Sequence, residues 1–284
     1  MNSGQFGSSG FTIVETMIFL AVSSAILVSA LGLVNGAQNK TQFTQGINDL
    51  SQQINDVMST VSTGYNASQA NFTCSVTGTG AGTTLNFAGG VSAQGTNGGS
   101  QGCIFIGRIM QFTSVAAIST YSVAGAQMTQ VVLPQPVTTM DDAHPTIIPA
   151  SYIDDQSQVK DGVTVTRICY DKGAGCVSNK ISAIGFFETL GNLDSSNNLS
   201  SGSQQVDTVA IKDSPSALPA TTSPPALTSI MSTAGYKSYS NPANGITICL
   251  EGGSNQFAQI TIGQSGRQTS TTVKREDVLS APCV

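Results

Sequence analysis

Phe11-Thr12-Ile13-Val14-Glu15-Thr16-Met17-Ile18-Phe19-Leu20-Ala21-Val22-Ser23-Ser24-Ala25-Ile26-Leu27-Val28-Ser29-Ala30-Leu31-Gly32-Leu33-Val34 is a run of 24 residues whose only charge is Glu15. Roughly 20 apolar residues let a helix cross a bilayer, so this run is long enough to span one. A secretory signal would instead show a basic n-region, a shorter apolar core and a small-x-small cleavage site. Residues 1–10 hold no Lys or Arg, and Asn35 stands two positions before Ala37, which makes a poor cleavage site. The first cysteine is Cys74, so nothing near the run offers a lipoprotein attachment point. The run is therefore expected to stay in the mature chain. Inside a membrane helix a carboxylate costs about 2.5–3.5 kcal/mol, which makes Glu15 a functional candidate by default. Its plain alternative is a glutamate near the span's end that snorkels to the headgroups.

Downstream, Phe43, Ile47, Leu50, Ile54, Val57, Met58 and Val61 recur at steps of 4, 3, 4, 3, 1 and 3. That is one apolar stripe at helical period. Gln42, Gln45, Asn48, Asp49, Gln52, Gln53 and Asn55 occupy the other faces. The two patterns adjoin without a breaker, so one helix is expected over 11–63, about 80 Å long at 1.5 Å per residue. Gly32 and Gly36 are its weak points, each about 1 kcal/mol less favourable than Ala. Its first half is apolar all round, and its second half needs a sheet to lie on.

After Gly64 the period changes. Short β-favouring runs separated by Gly, Pro, Asn and Ser predict strands near 83–87, 103–112, 119–123, 129–133, 163–170, 181–187, 206–211, 246–250, 257–262 and 269–273. Segments 192–205 and 213–227, the latter with Ser223-Pro224-Pro225, read as surface loops, and 78–102 is expected to contain exposed loops. The architecture implied is α+β: a long N-terminal helix, membrane half plus amphipathic half, packed on an antiparallel β-sheet head.

Charged residues make up only 10% of the chain, 11 basic against 16 acidic, for a formal net charge of −5. That balance argues against a nucleic-acid footprint, and the Ser/Thr/Gly/Asn/Gln-rich remainder suits a solvated surface outside the cell. Six cysteines fall at Cys74, Cys103, Cys169, Cys176, Cys249 and Cys283 with no C-x-x-C, and a single His cannot complete the usual zinc spacings. Disulfides in an oxidising compartment are the better reading. Fifteen pairings are possible; neighbour with neighbour gives 74–103, 169–176 and 249–283. Cys169 and Cys176 flank Tyr170-Asp171-Lys172-Gly173-Ala174-Gly175, a hairpin-like tip.

Gly10-Phe11-Thr12-Ile13-Val14-Glu15-Thr16-Met17-Ile18 resembles the prepilin processing site of type IV pilins and type II secretion pseudopilins. A Gly, an aromatic and a Glu stand at fixed offsets against a membrane span, although the motif covers only about the first quarter of the chain. The resemblance implies cleavage after Gly10, methylation of the new N-terminus at Phe11, and an assembly role for Glu15 facing the amine of Phe11 on a neighbouring subunit. It further implies four parts: a leader over 1–10, a transmembrane and filament-core helix over 11–34, its amphipathic continuation over 35–63, and an extracellular head over 64–284. The partners implied are other pilin subunits, the prepilin peptidase and a membrane assembly platform. The chain would sit as a single pass in the cytoplasmic membrane before assembly and in an extracellular filament afterwards. Two departures stand out: the leader lacks the family's basic residues, and no Pro interrupts the helix.

Ile246-Thr247-Ile248-Cys249-Leu250, residues 257–262 and Gly263-Gln264-Ser265-Gly266-Arg267 resemble the end of H-type pseudopilins and related minor pilins. Some relatives hold DNA there with a Gly-Arg-x-Arg segment; here Thr269 replaces the second Arg. Arg267, Lys274 and Arg275 are the ligand candidates, for DNA or a surface. Phosphate binding draws on several cations together, and a solvated hairpin tip is the plainer reading. His144, in Asp141-Asp142-Ala143-His144-Pro145, could orient as a base, but no Gly-x-Ser-x-Gly elbow accompanies it. Asp141, Asp142, Asp154 and Asp155 lack EF-hand spacing. Asn66, Asn71 and Asn198 head glycan-acceptor triplets, as chance allows in such a composition. No cofactor, metal or catalytic residue is expected. The expected role is structural, as a pilin or minor pilin, with a DNA- or surface-binding tip subunit and a secretion pseudopilin as the alternatives.

Overall fold

The apolar stripe read from the sequence lies on one continuous helix, α1 (Ile13–Ser62). The structure is a computed structural model and describes residues 12–63, 72–78, 82–89, 102–114, 116–128, 137, 140–149, 155–170, 181, 183–188, 206–211, 223–232, 236–238, 245–253, 255–263, 271–276 and 283. Two units divide the chain, Met1–Gln42 and Phe43–Val284. In the second unit α1 is followed by β1 (Phe72–Thr77), β2 (Thr84–Gly89), β3 (Cys103–Phe112), β4 (Ala117–Ala126), α2 (Met140–Ala143), β5 (Thr146–Ile147) and β6 (Asp155–Gln158). Then come β7 (Thr164–Tyr170), β8 (Ala183–Glu188), β9 (Val206–Ile211), α3 (Pro224–Ser232), β10 (Tyr236–Ser238), β11 (Ile246–Gly252), β12 (Gln256–Ile262) and β13 (Thr271–Glu276). The α+β expectation holds at this level.

A single sheet was expected beside the helix; among the described residues three form instead. One has two strands, β1-β2; one has seven, β10-β9-β8-β3-β4-β5 with β6 also on β4; one has four, β13-β12-β11-β7. All the pairings given for these sheets are antiparallel. The split occurs at Lys160-Asp161-Gly162-Val163. Asp161 and Gly162 take φ of 60° and 70°, and the Val163 N–H donates to the Lys160 carbonyl at 3.2 Å. Two positive φ values in succession are the type I′ signature, for which Asp-Gly is a preferred pair. Here the turn leads from β6 in the larger sheet into β7 in the smaller one.

Both sheets share one core with the helix. Phe43, Ile47, Leu50, Ile54, Val57, Met58 and Val61 are all buried. They cluster with Met110, Phe112, Ile184 and Phe186 from the seven-stranded sheet and with Ile168, Ile248, Leu250 and Ile260 from the four-stranded one. The helix seats closely because glycines meet it. A Cβ on Gly46 would lie 2.7 Å from the Lys160 carbonyl oxygen and 2.6 Å from Val163 Cγ2, and a Cβ on Gly252 would strike the Phe43 ring. Gln53 Oε1 accepts from Ser157 Oγ at 3.1 Å, and Asn55 Oδ1 accepts from Thr271 Oγ1 at 3.1 Å. Polar residues beside the stripe thus tie α1 to each sheet.

The far face of the seven-stranded sheet, with Ile109, Val123, Ile147, Phe187, Val209 and Ile211, is covered by Leu227 and Met231 of α3 and Ala143 of α2. This corrects the surface-loop reading of 213–227 at its 224–227 end, while residues 213–222 lie outside the described residues. The Leu227 N–H bonds back to the Ser223 carbonyl at 3.0 Å, so Pro224 and Pro225 occupy the first helical turn. There a missing N–H costs nothing and the fixed φ suits the helix. Of the expected strands, 103–112 and 206–211 appear with those bounds and 119–123 extends in both directions, whereas 129–133 lies outside the described residues. The strand 72–77 and the short β5, β6 and β10 were not anticipated. Cys74 bonds Cys103 and Cys249 bonds Cys283, as neighbour pairing proposed. Cys169 is disulfide-bonded, and Cys176 lies outside the described residues.

Candidate functional site

Thr12 immediately precedes α1, and Glu15 is its third helical residue. The Glu15 N–H donates to the Thr12 carbonyl at 3.1 Å and, over a longer 3.4 Å, to Thr12 Oγ1. Thr-x-x-Glu is the capping-box spacing, a signal that the sequence reading passed over although it was there to be seen. A carboxylate in the first turn faces N–H groups that have no carbonyl to bond, which favours it by about 0.3–1 kcal/mol. Against a cost of about 2.5–3.5 kcal/mol in hydrocarbon, the helix end answers only part of the demand. No cation pairs with Glu15 among the described residues. Gly10 and Phe11, the expected processing pair, lie outside them.

The same end of α1 is apolar on all sides. Ile13, Phe19 and Leu27 are 77%, 71% and 62% exposed, and of residues 12–32 only Ser23 is even half-buried. Three of its hydroxyls are turned back on the helix: Thr16 to the Ile13 carbonyl at 2.8 Å, Ser24 to Leu20 at 2.7 Å and Ser29 to Ala25 at 2.8 Å. Such bonds satisfy a hydroxyl where water is absent. By length and composition this is a helix able to cross a membrane. It runs unbroken through Gly32 and Gly36, and nothing lies within 4 Å of where a Gly32 Cβ would be.

The two described basic candidates do not share a face. Arg267 lies outside the described residues, while Lys274 and Arg275 are exposed on β13. Register sets Lys274 opposite Gln259 and Arg275 opposite Ala258, so the two cations leave opposite faces of the sheet. Lys274 is ion-paired with Glu276, whose other oxygen accepts from Gln259 Nε2 at 3.2 Å. A phosphate chain would meet one neutralised cation on one face and one cation on the other.

His144 follows α2 with φ of 48°, its N–H on the Asp141 carbonyl at 3.3 Å and its own carbonyl bonded by Thr146 Oγ1 at 3.0 Å. These are backbone roles at a helix end. Asp141 and Asp142 are exposed, Asp154 is outside the described residues, and no group of three or more potential metal ligands forms among those described. The glycan-type residues Asn66, Asn71 and Asn198 are also outside them. Glu188, at the end of β8, has its pKa pushed above the ordinary carboxylate value by burial. Comparison of the chain with family models, with curated proteins and with solved structures returned no match.

Proposed function

We propose that the chain is a structural subunit of a type IV pilin-like filament, held in the membrane by the first half of α1 and assembled through it. One observation carries this reading. A single helix joins an exposed, all-round apolar half with one carboxylate in its first turn to a half whose stripe is sealed in a disulfide-stapled head. In a bilayer the apolar half is solvated by lipid; in a filament, neighbouring copies of it take the lipid's place. Packing alone leaves the axial register of such helices loose. Glu15 supplies the missing specificity by pairing with the amine of Phe11 on the next subunit, once cleavage after Gly10 has freed that amine. Burying two opposite charges together is tolerable, whereas burying either alone is strongly unfavourable. The opposed directions of Lys274 and Arg275 weigh against the alternative of a DNA-gripping tip subunit.

The test is the N-terminal mass of the protein purified from its own cells. A chain starting at a methylated Phe11 is expected. An uncleaved residue 10–11 bond would leave a single-pass anchored surface protein, and a start beyond residue 34 would leave a secreted one; either overturns the proposal.

A further inference from the structure

The face of the four-stranded sheet turned away from α1 carries sulfur rather than aliphatic side chains. Ile168, Ile246, Ile248 and Leu250 face the helix core, so Cys169 and Cys249 on the alternate positions face the other way. Register pairs Cys169 with Thr247 and Cys249 with Arg167, which makes the two cysteines diagonal neighbours on adjacent strands. Cys283 returns to bond Cys249, and the three cysteines form a buried cluster of their own, 2%, 2% and 4% exposed. Two separate disulfides are therefore in contact. Arg167 stands directly across from Cys249, with its Nη1 near the Cys283 carbonyl at 3.5 Å.

We propose that these two disulfides are exchange-coupled, so that opening the Cys249–Cys283 bond passes the link to Cys169. The Cys249 thiolate attacks Cys169 Sγ, and a Cys249–Cys169 bond forms as Cys169 parts from its present partner, which the sequence expectation makes Cys176. That partner leaves as a thiolate and takes a proton from water, so no electrons are gained or lost. A cation beside a thiol favours the thiolate, the attacking form, and Arg167 is that cation for Cys249. Diagonal Cβ atoms on paired strands lie somewhat under about 7–8 Å, against about 3.8 Å in a disulfide. The strands must close by a few ångströms, and the β11–β7 pairing shifts register between Cys249 and Leu250, with Thr166 the extra residue on β7, where it can yield. Cys74–Cys103 belongs to a different cluster and takes no part. The consequence is a C-terminal staple that a thiol–disulfide oxidoreductase can move, its thiolate attacking Cys283 Sγ and taking Cys283 into a mixed disulfide as Cys249 leaves as the thiolate.

The experiment uses the full chain carrying Cys283→Ala, held at mildly alkaline pH, acid-quenched, alkylated with N-ethylmaleimide and mapped as unreduced peptides. The expected result is a peptide linking Cys169 to Cys249, with the label on Cys176. Label on Cys249 alone, with Cys169 in its original bond, overturns the proposal. Should that variant not fold, the wild-type chain is treated with substoichiometric dithiothreitol. The 169–249 peptide is expected to appear while Cys74–Cys103 stays intact, and loss of 249–283 without it counts as refutation. Arg167→Gln should slow the exchange severalfold while leaving the original pairing unchanged, an effect that a purely packing role for Arg167 would not produce.

Discussion

At the third position of α1, Glu15 meets the positive end of the helix but no cation of its own chain among the described residues. Removing one partner of a buried pair costs about 3–5 kcal/mol because the other charge is left alone. Glu15→Ala should therefore insert normally yet assemble roughly two to three and a half orders of magnitude less well, since each 1.4 kcal/mol is tenfold. The sheared filament fraction, compared with the membrane fraction by immunoblot, reads this directly, and unchanged filament yield would remove the role assigned to Glu15. Glu188 gives a prediction of a different kind. Burial raises its pKa in the fold, so the folded state favours the protonated form. Its contribution is intact below the unfolded pKa and is lost as pH rises through the folded one. Glu188→Gln should match the wild type in acid and exceed it in melting temperature at neutral pH. A difference that is constant across pH would mean that the carboxyl is not the cause.

Within α1 the same residue types do two jobs, and substitution should separate them. Leu50 is 1% exposed in the shared core, whereas Leu27 is 62% exposed. Leu50→Ala should destabilise the head by about 2–5 kcal/mol, while Leu27→Ala should leave it within about 0.5 kcal/mol, as measured by chemical denaturation in detergent. Gly46→Val is predicted to cost about 1–3 kcal/mol through overpacking, because the Lys160 carbonyl it would meet is backbone and cannot rotate away. The stripe from Phe43 to Val61 was legible in the sequence because every apolar residue at helical spacing there is buried. Strands such as 103–112 were legible because Ile104, Phe105, Ile106, Ile109 and Phe112 dominate the run despite Gly107. The division into three sheets was not, since it depends on which strands pair across long separations and on one Asp-Gly turn that leads between sheets. Helix α3 was not legible because the Pro-rich Ser223-Pro224-Pro225 reads as a surface loop, although proline is favoured in a first turn. Of the candidate residues, the Cys74–Cys103 and Cys249–Cys283 pairs follow neighbour order along the chain and were readable from it. The divergence of Lys274 and Arg275 emerged only with the register of β13 on β12.

At the scale of the whole molecule, the boundary between the two units falls at residues 42 and 43, just where the apolar stripe begins to be buried. The residues that solvate the first unit and those that stabilise the second are therefore different sets. Residues 12–32 contribute exposed apolar surface that water will not tolerate in bulk, and patches of more than a few hundred Å² ordinarily mark interaction surfaces or drive aggregation. The second unit keeps its stripe inside and carries both described disulfides. Each of these closes a loop of about 30 residues, worth roughly 3–4 kcal/mol in the chain-entropy account. A fragment covering Phe43–Val284, expressed in an oxidising compartment, should thus be soluble without detergent and monomeric, while the full chain should leave membranes only in detergent. Its melting temperature should lie within a few degrees of the detergent-solubilised chain, because the cut removes one helical turn's bonds and no core side chain. Scanning calorimetry and light scattering on the two forms make the comparison. An aggregated or unfolded fragment would mean that residues before Phe43 stabilise the head itself, and the separation of membrane anchoring from head stability would have to be abandoned.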